Sequence, residues 1–520
     1  MNLDATGTRR LSLWLLSAGI LVVVLFLVLV ARFWHPVYGF TAFLQLDSSN
    51  DGTKIAAFRE LPVYVYRDTG GYDGLFYAQI AYHPTLAAEE LRPAIDGLGY
   101  RGRRILAPWI AWTAALGRPA WIVHAYSVVN VAAWLTLALI LWRLLPVRDG
   151  RSWLSWFGVL FCAGSLESVR LALPDLVALS ILAAAILLIE RGRRGASLAG
   201  LAAAGLARET SLLALPGVFE RPWISRRNVL AGIAAAAPLA LWIAYVHFRI
   251  GPGGAGSRNF AWPLAGWAGK WSAVAAAFRN EGDRWIVWTT LLATAALTVQ
   301  AAYLIVRPRI EDRWWRVGAA YVALFLVLGE AVWEGFPGAA TRVLLPMTLA
   351  FNVVAARRRA PVWLLVAGNL AVAAGLLSMK DVPRDPTELA AGRSGASACV
   401  ARLADGWHGV ERDGGHRWAW SRSSATAVVE AWPKADTEAR LEFGLRSLSP
   451  RKVVLRCDGR ELWSGMVTAD LTARPSVLVP IRKGSATLEL ATDEPGVPEG
   501  PGANARLLAF ALHDPRFVAP

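Results

Sequence analysis

The sequence predicts a polytopic α-helical membrane protein that carries a β-sandwich at its C-terminal end. Hydrophobic residues make up 55% of the 520 residues and charged residues only 18%, with a mean hydropathy of +0.38. A soluble protein of this size would carry about a quarter charged residues. Apolar runs separated by arginine-rich loops recur up to residue 378, and polar, alternating sequence follows them. We therefore predict about nine to eleven membrane helices in residues 1–380, a linker over 381–397 and a β-sandwich over 398–520.

The formal net charge of +15 could indicate nucleic-acid binding. The arginines occur in short loops between apolar runs, however, and the positive-inside rule explains that distribution better. No DNA- or RNA-binding module, glycine-rich nucleotide fingerprint or Walker sequence is present in the sequence. We expect membrane lipids but no nucleic acid among the partners, and no cofactor. A divalent ion at the carboxylates is compatible with the sequence, but nothing in it supports one.

The first apolar run covers residues 11–31 and follows Arg9 and Arg10. It is long enough to cross a bilayer core of about 30 Å. A signal peptide would have a shorter apolar core and a small-residue cleavage site. We therefore predict an uncleaved first helix with its N-terminus in the cytoplasm.

Residues 32–104 form a polar outer loop, and the apolar run that follows it, 105–116, is too short to span a membrane. An interfacial or re-entrant helix suits that run better. Further spans are predicted at residues 122–145, 153–166, 171–189, 229–248, 285–306, 317–332, 343–356 and 361–378. The arginine-rich loops between these runs place the C-terminal domain on the outer side.

Residues 196–219 admit two interpretations. A single span would place three arginines of the following loop outside, against the positive-inside rule. Two short helices hinged at residues 208–210 would return the chain to the cytoplasm, and we favour this hairpin. It places Arg208 and Glu209 at membrane depth, which is tolerated where the pair faces a cavity or a partner.

Beyond residue 397, short runs alternate between apolar and polar residues, as strands do when one face is buried. Examples are residues 439–446, 452–457 and 486–491, with proline and glycine turns between such runs. This pattern predicts the β-sandwich. Four tryptophans of this domain are either core residues, the commoner case, or platforms for a sugar polymer: Trp407, Trp418, Trp420 and Trp432.

The stretch from residue 71 to 109 is polar, aromatic and charged between hydrophobic segments. Asp73 lies in an Asp-Gly turn signal before a helix-compatible run, and Asp96 precedes the cationic sequence YRGRRI. The arginines of that sequence are Arg101, Arg103 and Arg104. A carboxylate can accept a proton, and guanidinium groups can hold phosphate oxygens through two parallel hydrogen bonds. The stretch therefore suits chemistry on a phosphorylated lipid.

This stretch also carries a family resemblance. The pattern GYDG-x-FYAQ, followed by His-Pro and then by D-x-x-x-YR-x-RR-I-x-x-P, resembles a group of bacterial polytopic proteins assigned to cell-surface glycopolymer formation. Further matches are GLARETSLL around Arg208, NFAWPLAGW from Asn259 and TRVLLP from Thr341. The likeness runs through most of residues 1–380. By resemblance the group belongs to the C-type glycosyltransferase (GT-C) superfold, whose members are membrane enzymes that use polyprenyl-phosphate sugars.

The resemblance implies sugar transfer from a polyprenyl-phosphate-linked donor to a lipid-linked or cell-surface glycan, on the periplasmic face of the bacterial inner membrane. An outer-loop carboxylate would be the base. Asp73 matches that location, and Asp47 and Asp51 compete for the role. The arginines expected at the donor phosphate are Arg101, Arg103, Arg104, Arg208 and Arg342. The residues expected at the substrate are Tyr72, Tyr77, Gln79, Asp96, Tyr100 and Glu209.

Several of these residues also have a plainer structural interpretation. Asp73 could form the turn before a surface helix. Asp96 could form an ion pair with Arg101 or Arg103. A single outer arginine could contact lipid headgroups, although five around one face are harder to explain in this way.

The fifth outer arginine is Arg170, for which a salt bridge with Glu167 or Asp175 is an equal alternative. His83 and His124 lack paired ligands at metal-binding spacing, so no structural zinc is predicted.

Two other functions remain open at this point. A transporter or flippase of lipid-linked glycans would need the same lipid cavity but no chemistry, and its mark would be paired broken helices in two related halves. A non-catalytic subunit of a glycopolymer assembly machine could use the exported β-sandwich to recruit glycan.

Overall fold

The computed structural model of the chain describes residues 5–67, 69–145, 147, 149–251, 253, 257–280, 284–501 and 505–519. The chain divides into two compact units. Unit 1 comprises Met1–Phe33, Phe40–Ile55 and Val65–Val382, and unit 2 comprises Trp34–Gly39, Ala56–Tyr64 and Pro383–Pro520. The main boundary lies close to the predicted one at residue 380. Two short pieces of the predicted outer loop belong to the C-terminal unit, which nothing in the sequence indicated.

Unit 1 is helical, apart from isolated bridges in its loops. The α-helices of the chain are, in order, α1 (Ala5–Ala31), α2 (Ala56–Arg59), α3 (Gly74–Tyr82), α4 (Leu91–Ala94), α5 (Leu98–Arg101), α6 (Leu106–Ala114), α7 (Pro119–Leu144), α8 (Gly150–Phe161), α9 (Ala163–Arg170), α10 (Asp175–Glu190), α11 (Arg194–Ala207), α12 (Arg226–Ile250), α13 (Ala265–Arg279), α14 (Arg284–Val306), α15 (Arg313–Val327), α16 (Glu330–Trp333), α17 (Ala340–Val343), α18 (Leu345–Arg357), α19 (Val362–Gly368) and α20 (Val372–Ser378). Short 3-10 helices cover Thr41–Leu44, Ser48–Thr53, Glu209–Gly217 and Ser257–Asn259.

Four helices of the described residues are long and apolar enough to cross a membrane, which is fewer than the nine to eleven that we predicted. They are Trp14–Ala31 of α1, together with α7, α12 and α14. The other predicted spans are shorter helices. The 16 residues of α10, for example, reach only about 24 Å at 1.5 Å per residue. The helical and apolar character of the region is therefore confirmed, and the number of full-length spans is wrong.

Two of the predicted spans failed because the backbone breaks inside them. Cys162 adopts an extended conformation between α8 and α9, with φ −62° and ψ 159°. Residues 369–371 likewise separate α19 from α20. Both breaks lie in apolar sequence without proline or glycine at the break itself, so hydropathy counted each pair of helices as one.

The predicted hinge in residues 196–219 is present in the structure. Helix α11 ends at Ala207, Arg208 is extended with φ −157° and ψ 125°, and the 3-10 helix Glu209–Gly217 follows. Pro216 lies inside that 3-10 helix, and since proline lacks an N–H it cannot continue a regular α-helix. The break brings Arg208 and Glu209 to the end of a helix, as predicted.

Unit 2 is built mainly from antiparallel strands. In order they are β1 (Glu388–Ser394), β2 (Ser397–Leu403), β3 (Trp407–Asp413), β4 (His416–Ser421), β5 (Ala425–Trp432), β6 (Thr437–Ser447), β7 (Arg451–Cys457), β8 (Arg460–Val467), β9 (Ser476–Ile481), β10 (Ser485–Ala491), β11 (Val497–Pro498), β12 (Leu507–Leu508) and β13 (Phe510–Val518). The three runs cited from the sequence fall in β6, β7 and β10, so these strand predictions are confirmed.

The described strands form two larger sheets. One has the order β1-β2-β5-β10-β7-β8 and the other β3-β4-β13-β6-β9, while β11 and β12 pair separately. Alternation sets which side chains are buried: in β10, Ala486, Leu488 and Leu490 are buried while their neighbours are exposed or half-buried. These side chains belong to a hydrophobic core that also takes residues from the other sheet, such as Leu441 and Phe443 of β6. An antiparallel all-β region is confirmed, and the sandwich arrangement stays our interpretation of it.

The predicted linker 381–397 is only partly irregular, because β1 occupies Glu388–Ser394 and pairs with β2. The outer-loop segment 34–39 supplies two further contacts in the same unit. The imidazole Nε2 of His35 lies 2.9 Å from Oε2 of Glu388, and the hydroxyl of Tyr38 accepts a hydrogen bond from Arg402. The C-terminal unit therefore begins earlier in the chain than composition suggests.

The four tryptophans that we weighed as sugar platforms follow the core interpretation. Trp407, Trp420 and Trp432 are buried. Trp418 is half-buried, stacks on the His513 ring and donates its indole N–H to Glu411 at 3.0 Å. Three of the four therefore lie in the interior, and Trp418 packs against the buried Trp420, Leu508 and Ala511.

Candidate functional site

Four of the five arginines predicted at the donor phosphate come together in unit 1. We call Arg101, Arg104, Arg208 and Arg342 the arginine cluster. Arg101 ends α5, Arg104 precedes α6, Arg208 is the extended residue after α11, and Arg342 lies in α17. The charges of Arg104 and Arg342 both act on Arg208, and those of Arg101 and Arg104 both act on Tyr77, so three separate pieces of chain place like charges near one another. Such an arrangement is unfavourable unless anions are interspersed.

The two glycines of the GYDG sequence fix the backbone beside this cluster. Gly71 has φ +71°, and a Cβ on it would lie 3.1 Å from the carbonyl oxygen of Gln45. A Cβ on Gly74 would clash with the carbonyl oxygen of Leu171, because α3 begins in close contact with the residue that follows α9. Only glycine fits both demands without strain. The motif therefore has a structural basis at its glycines and holds Asp73 between them.

Asp73 occupies the residue before α3, but its side chain does not cap that helix. Its Oδ2 lies 2.9 Å from Nη1 of Arg101 instead, and the side chain is 37% exposed. The Arg101 guanidinium lies 4.4 Å from the centre of the Phe76 ring, which holds it from the other side. Since the turn-forming alternative would use the carboxylate on the backbone, this geometry favours a carboxylate that remains accessible for proton transfer.

Arg104 is hydrogen-bonded to the protein through all three of its side-chain nitrogens. Its Nε donates to Glu209 at 3.0 Å, Nη1 to the Tyr77 hydroxyl at 3.1 Å, and Nη2 to the Tyr100 hydroxyl at 2.5 Å. Arg104 thus joins three of the residues predicted at the substrate.

Arg208 and Arg342 share one carboxylate. Asp175, the first residue of α10 and 4% exposed, forms an ion pair with Arg208, and its Oδ2 lies 3.9 Å from Nη1 of Arg342. Arg342 also donates Nη2 to the Tyr72 hydroxyl at 2.5 Å. Its Nε lies 3.8 Å from Oε2 of Glu167, which is within ion-pair range but too long for a hydrogen bond. One deeply buried carboxylate therefore compensates two arginines incompletely.

The guanidinium groups of Arg208 and Arg342 keep hydrogen-bonding capacity. Their Nε atoms are buried and have no hydrogen-bond partner among the residues that the structure describes. A buried donor left without a partner costs about 1–3 kcal/mol. Both unpaired groups belong to a cluster of positive charge, so an anion with several acceptor oxygens would satisfy them.

Glu167 lies at the edge of this network. It is 8% exposed, and the Thr341 hydroxyl donates to it at 3.3 Å. Burial raises the pKa of Glu167 to about 7, against the opposing effect of the Arg342 charge. A carboxyl with that pKa can exchange a proton near neutral pH.

Two predicted site residues have structural roles. Asp47 caps the 3-10 helix Ser48–Thr53, accepting hydrogen bonds from Ser49 and Thr69, and these hold its pKa well below the usual range. Gln79 is fully buried, accepts from the Ile55 backbone N–H at 2.8 Å and donates to the Ala94 carbonyl at 3.3 Å. Their polar atoms already bind the protein, so neither is well placed to act on a substrate.

The remaining predicted residues are Arg103, Asp96 and Asp51. Arg103 donates Nη2 to the Gly253 carbonyl at 3.0 Å. Asp96 is 83% exposed and lies 3.5 Å from Nη2 of Arg101, which is the ion pair that we weighed against a substrate role. The side chain of Asp51 lies outside the described part of the chain.

The sequence analysis did not identify the arginine partners of Glu167 and Asp175. Glu167 and Asp175 appeared only as partners for Arg170, whereas the structure pairs them with Arg342 and Arg208. Arg170 instead donates to the Tyr66 hydroxyl at 3.0 Å and lies 5.0 Å from the centre of the Phe33 ring. The available signal was the presence of acidic residues within apolar helical sequence, where an ionisable group usually has a partner or a function.

The described residues contain no group of three or more His, Cys, Asp or Glu side chains that could hold a metal ion. The chemistry that the site offers is thus that of arginines, tyrosines and carboxylates. Comparison of the chain with known protein families, with curated proteins and with solved structures gave no match.

Proposed function

We propose that the protein transfers a sugar from a polyprenyl-phosphate-linked donor to a lipid-linked or cell-surface glycan, on the periplasmic face of the bacterial inner membrane. One observation carries the proposal: the arginine cluster adjoins Asp73 and contains two buried guanidinium groups with unpaired Nε atoms. The four long apolar helices supply the membrane environment in which such a donor resides.

The phosphate of the donor is the part that the cluster would bind. A guanidinium group offers Nε–H and Nη–H as a planar fork, which matches two phosphate oxygens. Arg342 and Arg208 each have an unpaired Nε, and phosphate oxygens there would remove the cost of a buried unsatisfied donor. Asp175 and Glu167 would then hold the arginines in position without occupying all of their hydrogen-bond donors.

The chemistry requires a base and a stabilised leaving group. In the proposed reaction the acceptor hydroxyl gives its proton to the Asp73 carboxylate while its oxygen attacks the anomeric carbon of the donor sugar. The bond between that carbon and the phosphate oxygen breaks, and polyprenyl phosphate leaves with an additional negative charge. The arginines would stabilise this charge as it develops, and Arg101 would keep the Asp73 carboxylate in place.

A second function, movement of a lipid-linked glycan across the membrane without chemistry, is favoured by the helix breaks. Arg208 interrupts one apolar segment, and residues 369–371 interrupt another. Broken helices line substrate paths in many transporters. The two breaks differ in form, since the first continues as a 3-10 helix and the second as an α-helix. We therefore rank transport below transfer.

The test is made in cells and with purified protein. A deletion strain should accumulate the lipid-linked donor and lose the corresponding surface glycan. In liposomes, protein supplied with a polyprenyl-phosphate sugar and the glycan fraction of that strain should release free polyprenyl phosphate. Movement of intact donor between leaflets without release would support the transporter instead, and normal surface glycan in the deletion strain would contradict both.

A further inference from the structure

A cleft of unit 1 lies between α13 and the segment 330–336. It has a volume of about 460 Å³, within the usual range of small-ligand sites. One wall is formed by small residues of α13, including Gly266 and Gly269, and the other by Trp333 and Phe336. A Cβ on Gly269 would meet no atom within 4 Å, so its face of the cleft is open. We call this space the α13 cleft.

Both hydrogen-bond donors and hydrogen-bond acceptors border the α13 cleft. Lys270 is 4% exposed, donates to the Gly335 carbonyl and has its Nζ 5.0 Å from the centre of the Phe336 ring. The indole N–H of Trp333, a residue 2% exposed, has no hydrogen-bond partner in the described parts of the chain. At the rim, Glu330 and Glu334 add exposed carboxylates, whose Oε2 atoms lie 3.5 Å and 4.0 Å from Nη2 of Arg258. The cleft thus combines buried donors, acceptors at the mouth and apolar walls.

This combination discriminates between classes of ligand. An alkyl chain would fill the apolar part but leave the Trp333 N–H without a partner, at a cost of about 1–3 kcal/mol. A phosphate would gain no net attraction, because the two rim carboxylates offset the charges of Lys270 and Arg258. A neutral sugar suits all the groups, because each hydroxyl both donates and accepts a hydrogen bond and its C–H surfaces pack against aromatic and aliphatic walls.

The α13 cleft is connected electrostatically to the arginine cluster. Lys270 and Glu167 act on each other's charge, and Glu167 lies 3.8 Å from Arg342. A sugar in the cleft would therefore lie on the Lys270 side of Glu167, within electrostatic reach of the proposed donor site. This position suits the second substrate of a transfer reaction.

We propose that the α13 cleft binds a neutral sugar residue of the acceptor glycan, with Trp333 and Lys270 donating to its hydroxyls and the rim carboxylates accepting from them. Binding of a neutral sugar follows from the cleft alone. Its role as acceptor rests on the proposed sugar transfer.

The experiment measures binding to full-length protein in nanodiscs, without donor. The probes are fluorescent tetrasaccharides of glucose, mannose, galactose, rhamnose and N-acetylglucosamine, followed by anisotropy, with decyl phosphate as a competitor. Gly269→Leu fills the cleft without a backbone clash. Gly232→Leu is the matched control, because Gly232 is also helical and a Cβ there meets no atom within 4 Å.

We expect at least one neutral probe to bind wild type and Gly232→Leu equally, and Gly269→Leu at least tenfold more weakly. Trp333→Phe keeps the aromatic ring but removes the N–H, and should weaken binding about three- to tenfold. Decyl phosphate should not compete. Failure of all neutral probes to bind wild type, equal binding to Gly269→Leu, or competition by decyl phosphate would overturn the proposal.

The result separates this inference from the proposed function. If donor cleavage depends on the arginine cluster while no neutral sugar binds the cleft, only the cleft assignment fails. If a neutral sugar binds the cleft while the protein cleaves no polyprenyl-phosphate donor, the sugar site stands and the transfer reaction fails.

Discussion

Arginines meet carboxylates and tyrosines in both units, and the two sites differ in how completely the guanidinium is paired. In unit 2, Arg402 binds Asp385 through Nε at 2.9 Å, and its two Nη groups contact Glu430 and the Tyr38 hydroxyl. In unit 1, Arg342 leaves its Nε without a hydrogen bond to the described residues. The first guanidinium is thus fully paired within the protein, whereas the second keeps one buried donor that the described residues do not satisfy.

The carboxylates show the same difference. Asp385 accepts from Thr387 and Arg402, and these contacts lower its pKa although burial acts to raise it. Burial instead raises the pKa of Glu167 to about 7, because its nearest guanidinium is 3.8 Å away. A carboxylate that is fully hydrogen-bonded by its surroundings stabilises the structure. A carboxyl group whose pKa burial raises to near neutral pH can instead take part in a reaction or respond to a ligand.

The largest effect is expected from Asp73→Asn. This change keeps the size of the side chain but removes the basic oxygen, so transfer should fall by about 10²–10⁴-fold while expression and membrane insertion stay normal. The measurement is release of polyprenyl phosphate by purified variants. Asp47→Asn is the control, and it should affect stability more than rate because Asp47 caps a 3-10 helix. Retained activity in Asp73→Asn, with loss in Asp47→Asn or Asp51→Asn, would show that the base is assigned wrongly.

The next effect concerns pH and Glu167. The carboxyl binds a proton more tightly in the folded protein, with a pKa of about 7, than in the unfolded chain. Its contribution to stability is therefore full below the unfolded pKa and is lost as pH rises through about 7, by roughly 3 kcal/mol at most. Glu167→Gln lacks this loss, so it should gain stability relative to wild type between pH 5 and pH 8. Thermal unfolding in nanodiscs measures the difference in stability between Glu167→Gln and wild type. A difference that does not change with pH would refute the raised pKa of Glu167.

A smaller effect is expected from Arg402→Gln, which leaves Asp385 and Glu430 without their shared partner. Unfolding of unit 2 should become easier by about 1–3 kcal/mol, with donor cleavage unchanged. Arg516→Gln is the control, since Arg516 is 73% exposed in its pair with Glu442 and exposed pairs contribute at most about 1 kcal/mol. Equal destabilisation by both variants would show that the fully paired Arg402 stabilises unit 2 no more than the exposed Arg516 does.

Much of the site could be predicted from sequence because its residues carry local signals. The YRGRRI sequence, the charged pair at Arg208 and the TRVLLP sequence each place an arginine at the end of an apolar run. The structure brings Arg101, Arg104, Arg208 and Arg342 together. It gives Arg103 a backbone carbonyl instead, a difference that depends on a loop 150 residues away and has no local signature.

The rest depends on long-range packing. Glu167 and Arg342 are separated by 175 positions, and neither has a neighbour in sequence that identifies the other. The breaks at Cys162 and at residues 369–371 lie in apolar sequence, so hydropathy predicted full spans where the structure has short helices. The inclusion of residues 34–39 in unit 2 follows from contacts such as Tyr38 with Arg402, which composition cannot reveal.

The central claim is that the arginine cluster binds the donor phosphate, and binding of geranylgeranyl phosphate to protein in nanodiscs tests it. Arg342→Lys keeps the charge but loses the planar fork, Arg402→Lys is the control, and geranylgeraniol reports binding of the lipid tail alone. We predict that Arg342→Lys weakens binding of the phosphate about ten- to a hundredfold, with binding of the alcohol unchanged, and that Arg402→Lys alters neither. Wild-type affinity for the phosphate in Arg342→Lys would contradict the account.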